Sequence, residues 1–141
     1  MPVQEQSNAE HLAIEKVLET YYTAVTKRDE ALFLTTLVNK DIPFFSVGNS
    51  DSVEPELTTA KMQNYKGFSQ GIFHSEERYR QTFEQIQIAQ EGALATASLY
   101  FTTYRLVTGG TSRGWKTLQL VKVGAQWKIV SEIYTAHRSP Q

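Results

Sequence analysis

The chain has 141 residues, enough for one domain with a real hydrophobic core. Its 14 basic and 15 acidic residues leave a formal net charge of −1 with no block of like charge, so the basic footprint that nucleic-acid binding needs is missing. Cysteine is absent, which excludes disulfides and thiol chemistry, and no signal-like start or apolar run of ~20 residues appears, so a soluble cytoplasmic protein without membrane contact is expected.

The first half reads as helix. Ser7 and Glu10 form the S-x-x-E box in which each residue satisfies an unpaired N–H of a first helical turn. From there Leu12, Ile14, Val17, Leu18, Tyr21, Tyr22 and Val25 recur at three and four, the spacing of one buried stripe. Lys27 and Arg28 suit the negative end of that helix, and Asp29 caps a second one, Glu30 to about Val38, with Leu32, Phe33 and Leu37 on its apolar side. "DIPFFSV" (41–47) predicts a short strand beginning at a proline, which suits a sheet edge. An acidic loop, GNSDSVEPELTT, follows. Thr58 or Thr59 can cap a short third helix through Tyr65, with Gly67 placed to end it in the left-handed conformation. The stretch 68–78 carries no pattern that assigns an element.

From Tyr79 the period changes to two. Extended runs cover roughly 79–89, 93–106, 113–123 and 126–136, separated by Gln90-Glu91-Gly92, Gly109-Gly110 and Gly124-Ala125, the last two fitting tight hairpin loops. Alternation slips between Phe83 and Ile86, as a bulge would make it. Helices first and a strand meander second mean an α+β fold, N-terminal helices packed on an antiparallel sheet, in a single domain with its ordered core at about 8–137. Strands this long must twist and curl, and a curled sheet wrapped on helices makes a cone with an open mouth.

The short turns set a register. A two-residue Gly124-Ala125 turn brings Gln119 opposite Val130, Thr117 opposite Glu132 and Trp115 opposite Tyr134; a two-residue Gly109-Gly110 turn brings Tyr104 opposite Trp115. One face then collects Ser98, Tyr100, Thr102, Tyr104, Trp115, Thr117, Gln119, Val130, Glu132 and Tyr134. The other collects Leu99, Phe101, Leu118, Leu120, Trp127, Ile129 and Ile133. The second face is plainly core. The first, aromatic with a few polar tips, suits both a ligand pocket and a protein interface.

"IEKVLETYYTAVTKRDEALFLTTL", the meander, and the ending "WKTLQLVKVGAQWKIVSEIYT" together resemble the nuclear transport factor 2-like superfamily, and its SnoaL-like branch in particular. The marks of the resemblance are the helix corner at Ala24 and Asp29 and the turn-Trp-Lys-Ile ending at Trp127 to Ile129. It implies a strongly curved cone, a homodimer through the sheet, and a pocket for a small organic ligand, with isomerase, lyase or cyclase chemistry by proton transfer or, alternatively, a non-catalytic association domain. Isomerase-like members place a tyrosine, an aspartate base and a second acid at positions that fall on Tyr21, Phe45 and Gln119; the tyrosine matches and the two acids do not.

Proton transfer needs a group whose pKa burial can move toward neutrality. Glu132, among apolar strand neighbours, is the candidate acid or base, with Tyr21 and Gln119 to polarise a substrate oxygen; the plain alternative for Glu132 is solvent or a pair with Lys116 or Lys128. Tyr22, Phe33, Phe45, His74, Tyr100, Trp115 and Tyr134 are the expected ligand-binding residues. His137 ends the last strand, where exposure is expected, and His11 four residues before Glu15 finds no third ligand, so no metal is expected. No phosphate loop, nucleophile triad or dinucleotide fingerprint is present, so no cofactor is expected either.

Overall fold

The structure, a computed structural model, describes residues 3–48, 52 and 62–139. Helix α1 (Val3–Lys27) begins before Ser7, which therefore lies inside the helix rather than at its cap. It buries Ile14, Leu18, Tyr21, Ala24 and Val25, the stripe its spacing predicts. The chain then turns sharply. Arg28 adopts φ 57°, and its guanidinium donates to the carbonyls of Phe73, Ser75 and Glu77, tying the corner to a distant loop.

Asp29 caps α2 (Glu30–Leu34), its carboxylate accepting from Leu32 N–H at 3.0 Å. This helix stops short of the expected Val38. Backbone groups at 36–38 bond to the last long strand instead, Ile129 N–H to Thr36 O and Val38 N–H to Ile129 O, and a residue serving that ladder cannot also continue a helix. The expected caps Thr58 and Thr59 lie outside the described residues. The third helix, α3 (Tyr65–Ile72), starts where the sequence expectation ended one, and Gly67 sits in its first turn, giving its N–H to the cap Asn64.

The sheet runs β2-β1-β6-β5-β4-β3, with β7 pairing β5: β1 (Phe44–Ser46), β2 (Met62–Gln63), β3 (Tyr79–Glu91), β4 (Leu94–Arg105), β5 (Thr111–Val123), β6 (Gln126–Tyr134) and β7 (His137–Ser139). β1 lies parallel to β6 and is paired on its other side by the two-residue β2, so β2 takes the edge that the sequence assigned to β1. The four long strands form the expected antiparallel meander with helices against one face of the curved sheet.

Two irregularities decide which side chains face the helices. In β3 an extra residue lies between Glu84 and Gln87, where Gln85 takes φ 53°, so Phe83 and Ile86 can both face inward. In β6 the register slips between Ser131, opposite Gln119, and Ile129, opposite Leu120, leaving Val130 as the extra residue. The Gly124-Ala125 turn is as predicted, with Val123 opposite Gln126. The bulge beyond it reverses the predicted faces: Glu132 and Tyr134 point inward with Leu118 and Lys116, and Ile133 points out at 44 % exposure. The β4–β5 connection is longer than two residues, so Tyr100, not Tyr104, stands opposite Trp115. That slip is even and leaves the faces of both strands unchanged.

Gly114 on β5, opposite Phe101 on β4, lies against the backbone just past β6; an added Cβ would lie 1.8 Å from Thr135 O. Gly114→Ala is therefore expected to lower stability by about 3 kcal/mol, the upper end of overpacking costs, read as a drop in the urea midpoint. A second check concerns Glu77, which accepts from Thr108 Oγ1 and from the N–H groups of Val107, Thr108 and Arg78. These bonds, that from the Thr108 hydroxyl foremost, hold its carboxyl at about 2, below the ordinary 4.5. The stability they supply is present above the ordinary value and lost as pH falls toward the folded one. The gap in urea midpoint between wild type and Glu77→Gln is thus expected to be full near about pH 6 and to close on acidification to about pH 2.

Candidate functional site

The helix-facing side of the sheet divides along its length. Toward the α2 corner it is closed by stacked rings: Phe33 packs against Tyr21, Phe68 and Phe73 at 4.8–5.4 Å, and Phe68 lies on Phe44 at 4.4 Å. Toward the start of β3 the rings separate into a cavity of about 430 Å³. That volume is within the range of small-molecule sites. Phe68, Ile72, Tyr79 and Phe101 give it apolar walls, while Gln81, Thr103, Lys116, Tyr134, Arg105 and Arg138 supply the polar groups.

At its inner wall lies a buried cluster the topology builds from three elements. α1 supplies Tyr21, β5 supplies Lys116 and β6 supplies Glu132, none more than 3 % exposed. Tyr21 donates to Glu132 Oε1 at 2.6 Å and accepts from Lys116 Nζ at 2.8 Å; Lys116 Nζ stands 3.2 Å from Glu132 Oε2. Glu132 Oε2 has no aligned hydrogen-bond donor, so its contact with the ammonium is one of charge. The ammonium also faces the rings of Tyr21, Phe101, Tyr134 and Phe83 at 4.6–5.7 Å, a cage of negative ring faces.

Burial draws the Lys116 pKa below its ordinary 10.5, and the Glu132 carboxylate opposes that shift. The Tyr21 hydroxyl is raised well above 10, by burial first and then by Glu132. Burial and Glu132 also push Tyr134 up to about 12, against a hydrogen bond from Ser46. Both phenols therefore stay protonated at neutral pH, and the lysine is the group whose proton is loosened.

Of the residues singled out by sequence, Glu132, Tyr21 and Tyr134 come together here. Gln119 does not. It points to the opposite face and accepts from Ser131 Oγ at 2.5 Å, because the Val130 bulge separates its face from that of Glu132. Tyr100 and Trp115 share that outer face at 52 % and 45 % exposure. Phe45 is paired in register with the outward Ile133, its neighbour Phe44 with the inward Glu132. Phe33 is core, and Tyr22 packs edge-on to Phe83 outside the cavity lining. His74 bonds Glu30 at 2.9 Å on the surface. Lys116, Gln81, Thr103 and Arg105 were not among the sequence candidates. Lys116 was legible in one respect: it stands in phase with Leu118 and Leu120, a charge on a strand's apolar face. Among the described residues no group of three or more potential ligands is placed to hold a metal ion. No helix among them is long and apolar enough to cross a membrane.

No protein-family model and no curated protein matches the chain. Solved structures do. A protein of Novosphingobium aromaticivorans, assigned provisionally as a scytalone dehydratase, superposes with a TM-score of 0.78 at 16% identity, over 99% of this chain and 92% of that one. A nuclear transport factor 2-like protein with a cystatin-like fold from the same bacterium gives 0.71 at 13% identity, over 94% and 84%. A provisionally assigned calcium/calmodulin-dependent kinase II association domain from Exiguobacterium sibiricum gives 0.72 at 11%, over 94% and 96%. This chain has the nuclear transport factor 2-like, cystatin-like fold. At such identities the likeness is of fold alone, and chemistry must come from its own residues.

The buried pair makes a stability test. Glu132→Gln leaves the Lys116 ammonium out of water without its counter-charge and is expected to cost about 3–5 kcal/mol, whereas Lys116→Met with Glu132→Leu is expected to fall within about 1 kcal/mol of wild type or above it. Urea unfolding of the single and double variants gives the coupling directly.

Proposed function

We propose that this protein binds a small, partly apolar organic molecule in the cone cavity and exchanges a proton with it through Lys116, in an isomerase, lyase or cyclase type of reaction. One observation carries this reading: an ammonium caged by four rings and counter-charged by a fully buried carboxylate forms part of the wall of a 430 Å³ cavity. An ammonium has three donors. Its partners here are Tyr21 and Glu132, which leaves a donor for a substrate oxygen that gains negative charge. Glu132 and Tyr21 act through Lys116 by fixing its head group. This supports the sequence expectation for Tyr21 and Glu132 as parts of one proton-handling unit, with Lys116 in the place proposed for Gln119.

The outer sheet face favours a second reading. Tyr100, Trp115 and Ile133 are exposed together there, the kind of aromatic patch that homodimers cover, so association through the sheet is proposed as the role of that face and, should the cavity prove inert, of the protein.

Carbon-acid exchange separates the two. Cyclic β,γ-unsaturated ketones and β-keto acids incubated in deuterated water are expected to gain label at the acidic carbon, with Lys116→Met slower by about 100-fold or more and Trp115→Ser unchanged. Exchange indifferent to Lys116, together with a dimer that Trp115→Ser dissociates in sedimentation, would leave the association reading standing alone.

A further inference from the structure

Two features of the cavity are not used by the Lys116 cluster. The first is Gln81 on β3, 7 % exposed, directly opposite Thr103. Its amide nitrogen donates to Thr103 Oγ1 at 3.0 Å, and its carbonyl oxygen Oε1 is buried without any partner. A buried orphan acceptor is costly unless something donates to it, and Gln81 forms part of the cavity lining. The second is charge. Lys116 is neutralised by Glu132, but Arg105 and Arg138 also line the cavity, and no acidic side chain is among its described lining residues. Among the described residues Arg105 is held by uncharged acceptors: Gly109 O, Ser112 Oγ and Ser139 O. β7 sets Arg138 opposite Ser112, on the same side of the mouth.

Resting on the reading that the cavity holds a small molecule, we infer that its ligand is an organic anion bearing a separate hydroxyl, a hydroxycarboxylate with an apolar ring or chain between the two groups. The carboxylate lies toward Arg105 and Arg138, the hydroxyl donates to Gln81 Oε1, and the body packs on Phe68, Ile72 and Phe101. A guanidinium fork matches a carboxylate better than it matches a neutral carbonyl. Donor recognition by a buried amide rejects the analogue that lacks the hydroxyl, since that analogue leaves the acceptor orphaned.

The test is calorimetric titration of the full chain, at low salt, with benzoate, the three hydroxybenzoates and neutral 4-hydroxybenzamide. The 3- or 4-hydroxybenzoate is expected to bind about 10-fold or more tightly than both benzoate and the amide. The 2-isomer, whose hydroxyl is already bonded to its own carboxylate, is expected to behave as benzoate. Gln81→Leu is expected to abolish the advantage of the hydroxyl, and Arg138→Met to reduce that of the carboxylate. Equal binding of acid and amide, or of benzoate and the hydroxybenzoates, overturns the inference and leaves a cavity ligand of another class. Binding indifferent to both variants overturns it as well, because the probe is then elsewhere. No binding by any probe, neutral or charged, overturns both the inference and the ligand-binding reading beneath it.

Discussion

A lysine ammonium and a glutamate carboxylate 3.2 Å apart, both out of water, set the terms for this interior. Removing two such charges from water costs several kcal/mol per ion, and their attraction returns it only when the geometry is good and the remaining polar atoms find partners. The surroundings meet that demand in part. Tyr21 bridges the two head groups, and four aromatic rings turn toward the ammonium. One carboxylate oxygen still has no aligned donor. A pair that hydrophobic residues could replace without loss of stability is weak evidence for a structural role, and its position on a cavity wall is better evidence for a chemical one.

The pair exists because of one residue in the wrong phase. Strand alternation alone would send Ile133 inward and Glu132 out. The extra residue Val130 shifts the end of β6 by one, so the strand that begins with Trp127 and Ile129 on the core side finishes with Glu132 and Tyr134 there. The Gln85 bulge in β3 does the same for its strand, letting Phe83 join the cage about Lys116 while Ile86 and Ile88 pack further along. Both bulges sit in long strands of a curved sheet, where local extra twist relieves bending. Curvature and site are therefore two consequences of the same irregularities.

This is also why the fold was more legible than the site. The stripe on α1, the Asp29 cap, the change of period at Tyr79 and the turns after Gln90 and Val123 are local signals that tertiary contacts reinforce. The slip at Phe83 was visible as two inward residues out of phase. The slip at Val130 was not, because Ile129-Val130 and Ile133 read as apolar in either phase, and only pairing with Gln119 and Leu120 decides between them. Hence Tyr21 and Glu132 read as chemistry from sequence, while Lys116 reads only as one of two lysines able to pair with Glu132, the pairing the structure shows. Gln81 was invisible for a related reason: a glutamine among polar and aromatic neighbours on an edge strand carries no mark of burial until Thr103 and the cavity are in place.

The distribution of unfavourable features along the cone carries the argument one step further. At the α2 end, Phe33, Phe68 and Phe44 stack and Tyr21 meets Phe33 edge-on, and among the described residues the orphaned buried polar side-chain atoms are those of Gln81 and Glu132. At the β3 end lie an orphaned amide oxygen, a carboxylate oxygen met by charge alone, and Arg105 held by uncharged acceptors. A sequence under selection for stability alone would have filled that space as it filled the other, since apolar residues at positions 81, 116 and 132 together would remove both the orphaned oxygens and the buried charge pair. Among the described residues, deviations from that solution are confined to one end of the core.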